Sequence, residues 1–223
     1  MQTLKYRRKK TLKHRRKKTY KGGGRDVYSL KGKKICGERF ELYFNEVFAS
    51  SNYYIYALCK DPKLEDCGNT LAKVYNMKHK DIESVKVEAG YMEKASELGV
   101  APEFIGLEEC TYNGTRYTIL IMGYYGQGNL TTLLYNGYYD ENKEIINEKL
   151  RSILDTLYDE NIDHNDLHSD NFLYSIDSKG DIEFKIIDFD NTLPLKGDRT
   201  YTIENTRVRS APIDVSENSP AII

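Results

Sequence analysis

The chain has 223 residues, of which 39% are hydrophobic and 30% are charged, enough for a folded core beneath a polar surface. No run of about 18 apolar residues is present, and cationic residues occupy the place of a secretory signal, so we expect neither a membrane-spanning helix nor a signal peptide. The four cysteines lack Cys-x-x-Cys spacing, which favours reduced thiols and argues against a zinc site. These features predict an intracellular protein of the cytoplasm or nucleus.

The net charge of −1 conceals two segments of opposite charge. Residues 1–21 contain 11 of the 33 Lys and Arg residues and no acidic residue, and they include two copies of one octapeptide, at 4–11 and 12–19. Because like charges at this density repel and leave little apolar surface to bury, we predict a disordered basic arm over residues 1–24. Outside residues 1–21 the chain keeps 22 basic residues (33 less 11) against 34 acidic ones, a net charge of −12, and we assign a single domain to 25–223.

The domain begins with the alternation of apolar and polar residues that is typical of strands. Three strand-like segments are predicted, at residues 40–44, 53–58 and 71–75. Two turns are predicted between them, at residues 48–52 and 61–69.

A change to helical spacing follows at residues 82–98. Four side chains are predicted to share one buried face of this helix: Val87, Tyr91, Ala95 and Leu98. Gly99 supplies the C-terminal stop. Strand patterning then returns at residues 117–122, after a turn at Asn113 and Gly114.

Helices dominate the rest of the domain, apart from one small hairpin. A helix is predicted to start within 129–135, and the clearest one covers 144–158. Its apolar stripe has five members: Ile146, Leu150, Ile153, Leu154 and Leu157. Short strands are predicted at 172–174 and 184–187, with a turn between them at 178–180. Because like elements are grouped along the chain, the pattern predicts an α+β fold.

The strongest chemical pattern is His-Asn-Asp-Leu-His-Ser-Asp-Asn at residues 164–171, followed by Asp188. Transfer of a phosphoryl group from ATP needs a carboxylate beside the acceptor hydroxyl and oxygen ligands for magnesium. Asp166 would orient or deprotonate the acceptor, while Asn171 and Asp188 would be the metal ligands. The alternative is a solvated polar turn without catalytic function.

The order and spacing of these two motifs resemble the protein-kinase superfamily. The resemblance implies a bilobal kinase-like fold with a truncated C-terminal lobe, a small lobe at about 38–122 and a large lobe at about 126–223. It also implies ATP and Mg²⁺ as ligands and a protein substrate. In size the chain is similar to minimal atypical kinases such as the RIO group and the kinase of the KEOPS complex. Its basic arm and 19 tyrosines also resemble predicted serine/threonine kinases of large DNA viruses, which would add the virion as a location.

The resemblance assigns further roles to residues that precede the motif. Lys73 would hold the ATP phosphates, and Glu88 would position Lys73 through an ion pair, although either could instead be an ordinary surface charge. His164 would brace the loop that carries Asp166. Six residues would surround the adenine ring: Leu71, Met122, Gly123, Tyr124, Tyr125 and Leu173.

Three departures from the family pattern keep other functions open. No glycine occurs from 38 to 67, so the phosphate-covering glycine loop is missing, and Asp188 is followed by Phe-Asp in place of Phe-Gly. Only 35 residues follow Asp188. A serine/threonine protein kinase is the leading interpretation. The alternatives are a pseudokinase that serves as a binding or scaffold module, and a small-molecule phosphotransferase, which His168 favours.

The basic arm predicts a polyanionic partner, either a nucleic acid or an import receptor that reads residues 1–21 as a nuclear signal. One alternative is an anionic membrane surface, although the arm has no apolar anchor beyond Leu4 and Leu12. Another is a solubilising tail, or one that folds back on the acidic domain. Because Lys and Arg release counterions from phosphates, binding to DNA and RNA should be independent of sequence and should weaken steeply with salt. Titration of fluorescent DNA and RNA at low and physiological salt, with the full chain and with residues 1–24 deleted, measures this. Equal affinity of the two proteins would contradict it.

Overall fold

The structure is a computed structural model that describes residues 33–35, 40–49, 53–59, 70–204 and 212–215. The predicted arm and the predicted turn at 61–69 lie outside these residues. The predicted turn at 48–52 begins too early, because a strand continues through Ala49.

A six-stranded antiparallel sheet accounts for most of the first half of the chain. Its strands are β1 (Lys33–Ile35), β2 (Phe40–Ala49), β3 (Tyr53–Cys59), β4 (Thr70–Asn76), β5 (Phe104–Tyr112) and β6 (Thr115–Gly123). Their order across the sheet is β1-β2-β3-β4-β6-β5. Asn113 and Gly114, with φ of 48° and 74°, form the tight turn between β5 and β6.

The sequence predicted four of these six strands and missed β1 and β5. Half-buried and exposed residues do not alternate regularly along β5. Its two adjacent acidic residues, Glu108 and Glu109, also interrupt the apolar pattern. A strand that pairs on one side only, as β5 does at the edge of the sheet, needs less apolar surface than a central strand such as β6.

Helix α1 (Ile82–Glu97) lies between β4 and β5 in the chain and begins where the Asp81 carboxylate accepts a hydrogen bond from Ser84 N. The predicted length is confirmed, but the predicted buried face is wrong at Val87, which is 56% exposed. The buried face instead contains Val85, Glu88, Ala89, Met92 and Ala95. Val87 lies two residues, or about 200°, from Val85 and therefore on the opposite side of the helix.

The second half combines helices with short strands. The helices are α2 (Leu130–Tyr135), α3 (Tyr138–Glu141) and α4 (Lys143–Asp159), so four α-helices occur within the described residues. The strands are β7 (Gly128–Asn129), β8 (Ile162–Asp163), β9 (Phe172–Ile176), β10 (Ile182–Ile186), β11 (Leu193–Pro194), β12 (Thr202–Ile203) and β13 (Ile213–Asp214). They form three small antiparallel sheets, β10-β9-β7, β11-β8 and β12-β13. The α+β fold class is therefore confirmed.

A continuous apolar core extends from α1 and β6 into α4, β9 and β10. The predicted stripe of α4 is confirmed, since all five of its side chains are buried. The segment after α1 is tied directly to the hairpin, because Ile186 N donates to Val100 O at 2.8 Å. The polar residues that follow β10 are thus held at a fixed position relative to α1.

Two further findings concern the cysteines and the helices. Cys110 on β5 is disulfide-bonded, so the expectation of reduced thiols is wrong at this position. Sequence spacing alone does not reveal which cysteines a fold brings together. Among the residues that the structure describes, no helix has both the length and the apolar character needed to cross a membrane.

Gly126, in the connection between β6 and β7, should tolerate alanine less well than Gly180 in the β9–β10 turn. Both have positive φ, 93° and 91°, so each alanine costs on the order of 1 kcal/mol of backbone strain. A Cβ at Gly126 would also lie 2.7 Å from Tyr174 O, whereas Gly180 has open space around it. Gly126→Ala should therefore lower the free energy of unfolding by about 2 kcal/mol more than Gly180→Ala. Urea denaturation followed by circular dichroism measures both, and equal losses would contradict the close approach.

Candidate active site

A buried lysine joins three elements of the fold. Lys73 on β4 is 3% exposed, and its Nζ lies 2.6 Å from Glu88 Oε1 on α1 and 2.5 Å from Asp188 Oδ1 after β10. An ammonium group inside an apolar sheet is costly unless carboxylates surround it, and here two do. The predicted contact between Lys73 and Glu88 is therefore present, while its role in phosphate binding stays a prediction.

Tyr75 completes this cluster, and sequence reasoning missed it. Its hydroxyl donates to Glu88 Oε2 at 2.5 Å, so each oxygen of the buried Glu88 carboxylate accepts a hydrogen bond. Tyr75 follows Lys73 by two residues on β4, and side chains two apart in a strand point to the same face. That alternation could have identified Tyr75 as a neighbour of the ion pair.

The predicted catalytic loop, residues 164–171, is held by hydrogen bonds to its own backbone and to the segment before Asp188. Asn171 Nδ2 donates to Asp166 O at 3.0 Å, and Ile187 N donates to Asn171 O at 2.9 Å. The Asp166 side chain remains 34% exposed, with His168 Nε2 at 3.7 Å and Asn191 Nδ2 at 3.4 Å. Asn191 is a second contact that the sequence did not reveal. The structure thus presents an accessible carboxylate on a fixed loop.

His164 braces the same loop, as the sequence predicted. Its Nε2 donates to Ile187 O at 3.0 Å, and its ring packs edge-on against Phe189 at 5.0 Å between centroids. Burial lowers the pKa of His164 below its ordinary value, so the ring is neutral near pH 7 and carries its proton on Nε2. The neutral, buried ring thus links the loop to the segment before Asp188.

Asp188 has a backbone conformation that non-glycine residues seldom adopt. Its φ and ψ of 71° and 65° lie in the left-handed region, which costs roughly 1 to 2 kcal/mol. The preceding residue, Ile187, is fixed on both sides, because its N–H binds Asn171 and its carbonyl binds His164. This conformation directs the Asp188 carboxylate toward Lys73. The predicted strand end at 187 is slightly late, since β10 ends at Ile186.

Asn171 and Asp188 are chemically suited to magnesium. Because the Asn171 amide nitrogen binds the Asp166 carbonyl, the amide oxygen is the side-chain atom that could bind a metal. One amide oxygen and one carboxylate match the way magnesium is held in nucleotide sites, where phosphates and water fill the remaining positions. In the described part of the chain, no group of three His, Cys, Asp or Glu residues could hold a metal alone.

The residues predicted to surround adenine lie along β4, β6 and the hairpin. Leu71 pairs with Met122 across the sheet, and Leu173 pairs with Asn129. Gly123 N donates to Glu103 O at 2.8 Å, so this N–H is already used within the fold. The side chain of Tyr124 is exposed. Their contact with a nucleotide stays a prediction.

Tyr125 lies beside Lys185 of β10. Its ring lies 5.8 Å from Lys185 Nζ, and burial, with a smaller contribution from Glu183, raises its pKa to about 12. Tyr125 and Lys185 line a cavity of about 400 Å³ together with Ser96, Gly99, Glu103 and Tyr124. Neither Lys73 nor Asp166 lines it, whereas Gly123, Tyr124 and Tyr125, which are predicted to surround adenine, do.

Comparison of the sequence with models of known protein families found no match, and a search of curated proteins found none. The functional conclusion therefore depends on the residues and their geometry.

Glu88 should contribute far more to stability than Glu83, which is exposed on the same helix. Glu88→Ala removes one of the two carboxylates beside a buried ammonium and leaves the Tyr75 hydroxyl without its acceptor, so it should lower the free energy of unfolding by about 3 kcal/mol. Glu83→Ala should change it by about 0.5 kcal/mol or less. Chemical denaturation of both variants measures the difference. Similar small losses would mean that the buried ion pair contributes little to the fold.

Proposed function

We propose that the chain is an ATP-dependent phosphotransferase of the protein-kinase-like superfamily that transfers the γ-phosphate of ATP to a Ser or Thr hydroxyl of a protein. The sheet β1–β6 with α1 would be the small lobe, and the elements from β7 onward the large lobe. The connection between them, residues 124–127, would be the hinge.

One observation carries the proposal: the contact of Lys73 with both Glu88 and Asp188. A lysine on the sheet, a glutamate on the adjoining helix and an aspartate after the hairpin meet within 2.6 Å of one ammonium group. A structural ion pair would require only one of the two carboxylates. The second carboxylate comes from the segment that also binds the loop of Asp166, and this connection supports a joint role of the two segments in phosphate transfer.

Each residue then has a defined task. Lys73 would neutralise charge on the phosphates, and Glu88 would hold Lys73 in place. Asp166 would accept a hydrogen bond from the acceptor hydroxyl and take up its proton during transfer. Asn171 and Asp188 would hold Mg²⁺, which supplies charge stabilisation to the phosphates when it is bound.

The same contact favours a second candidate, a non-catalytic binding module. The Lys73 ammonium already has two carboxylate neighbours, so a phosphate must compete with Asp188 for it. The missing glycine loop removes backbone donors that would assist this competition. A measurement of nucleotide binding and of transfer with the same protein distinguishes the two functions.

Asp188→Asn and Asp166→Asn should have different effects. Asp188→Asn removes a charged magnesium ligand, so Mg²⁺-dependent ATP binding should weaken at least about tenfold. Asp166→Asn should bind Mg–ATP normally but transfer phosphate at least about 100-fold more slowly, because the proton acceptor is lost. Calorimetric titration and a radiolabelled ATP assay provide the two readouts.

Asp181→Asn is the matched control, because this exposed carboxylate lies at the opposite end of β10. It should change neither quantity. Normal Mg–ATP binding by Asp188→Asn would refute the metal assignment. Binding without transfer by the parent chain would favour the module.

A further inference from the structure

We propose that the acceptor is a threonine preceded by a run of basic residues, and that Thr11 and Thr19 of this chain are two such acceptors. The inference rests on the proposed function and specifies its substrate. Two observations support it: the acidic charge around the candidate active site and the basic repeat at the start of the chain.

The repeat places a hydroxyl in the same context twice. Thr11 follows Arg-Arg-Lys-Lys at 7–10, and Thr19 follows the same four residues at 15–18. The two octapeptides differ only at Tyr6 and His14. A solubilising tail needs charge but no hydroxyl at a fixed distance from it, so the recurrence points to a role for the threonine.

The acidic excess of the domain is concentrated in the part that contains the candidate active site. Residues 70–204 have 25 Asp and Glu against 13 Lys and Arg, a net charge of −12. An acidic surface attracts cationic segments and repels acidic ones, and this field acts on the rate of encounter as well as on specificity.

Two acidic residues, Asp163 and Glu204, belong to segments next to the loop of Asp166, and neither has a basic partner among the described residues. Asp163 Oδ1 accepts from the backbone N–H of Asn165, a neutral donor, at 3.0 Å. Glu204 is exposed, and its backbone lies alongside the loop, since Glu204 N donates to Leu167 O at 2.8 Å and Ser169 N donates to Glu204 O at 2.9 Å. A peptide that brings its hydroxyl to Asp166 would therefore approach a loop whose neighbouring segments carry acidic residues.

The nearby cations do not cancel this charge, because carboxylates already neutralise them. Lys73 contacts Glu88 and Asp188, and Lys80 lies 3.6 Å from Asp190. Arg199 Nη2 lies 2.5 Å from Asp159 on α4. An acceptor with basic residues before its threonine thus complements the site, whereas an acidic acceptor does not.

The chain is long enough for this transfer to occur within one molecule. Thirteen residues lie between Thr19 and Lys33 in β1, and the fourteen Cα–Cα steps allow a span of up to about 46 to 50 Å. A domain of this size has a radius of gyration of roughly 16 Å, so the maximum span is about three times that radius. The same threonine could also receive phosphate from a second molecule of the protein.

The proposed reaction moves one phosphoryl group from ATP to the threonine. The threonine Oγ1 forms a bond to the γ-phosphorus of ATP, and the bond from that phosphorus to the β,γ-bridging oxygen breaks. ADP departs with the electron pair of the broken bond, and the hydroxyl proton passes to the Asp166 carboxylate. Each phosphate adds about −1.5 to −2 charges, so modification of both threonines would remove about a third of the arm's positive charge and weaken its binding to polyanions.

The test uses the full chain with Mg–ATP and locates phosphate by mass spectrometry. We expect phosphate on Thr11 and Thr19, and self-phosphorylation at least tenfold lower in the double variant Thr11→Val/Thr19→Val. Asp166→Asn should abolish it. A peptide of residues 4–11 should have at least tenfold higher kcat/KM than the same peptide with its Lys and Arg replaced by Gln.

The outcomes separate this inference from the proposed function. If the chain phosphorylates casein or the Gln-substituted peptide as well as the basic peptide, and leaves Thr11 and Thr19 unmodified, the substrate assignment is wrong and the kinase assignment stands. If no acceptor receives phosphate, both fail. Dependence of the self-reaction rate on protein concentration then shows whether transfer occurs within or between molecules.

A charge reversal at the site tests the recognition step directly. Glu204→Lys should raise KM for the basic peptide at least about fivefold, and by a larger factor than it raises KM for the Gln-substituted peptide. Asp181→Lys makes the same change of charge on an exposed turn residue and should affect neither peptide. Equal effects of the two variants would show that net charge alone, and not the position beside Asp166, governs acceptor choice.

Discussion

A positive charge buried inside a β-sheet requires negative charges nearby, and the arrangement of the candidate active site follows from that requirement. Lys73 occupies a central strand where water cannot solvate its ammonium group. Glu88 satisfies it only if α1 turns that side of the helix toward β4, and Asp188 satisfies it only if the segment after β10 takes a strained left-handed conformation. Three distant parts of the chain are therefore positioned by one charge.

The loop of Asp166 depends indirectly on the same interaction of Lys73 with Asp188. Ile187 binds both Asn171 and His164, so the residue next to Asp188 also holds the two ends of residues 164–171. The neutral state of His164 is part of this link, because a protonated ring would place an unpaired charge in the core. Displacement of Asp188 would consequently be transmitted to Asp166 through backbone hydrogen bonds and one aromatic ring.

Periodicity predicted the elements well where one face is uniformly apolar, as in α4. It failed where the buried face contains charge or small residues. In α1 the apolar Val87 suggested the wrong face, because the buried side includes Glu88 and two alanines. The partnership of Lys73 and Glu88 could be predicted from a charge in an apolar strand, whereas Asn191 beside Asp166 and the disulfide at Cys110 depend on long-range contacts that no local pattern encodes.

Charge also determines the order in which ligands can enter such a site. Lys73, Glu88 and Asp188 together carry a net charge of −1, and Asp166 makes the region more negative. ATP phosphates brought to it alone would be repelled by the carboxylates and would have one ammonium group to bind, which Asp188 already contacts. Asp188 and Asn171 would hold a divalent cation, whose positive charge would offset the repulsion between the carboxylates and the phosphates, and Lys73 would then be available to the phosphates. Without a glycine loop to supply backbone donors, nucleotide and metal affinity should be strongly interdependent, and each should be weak when the other is absent.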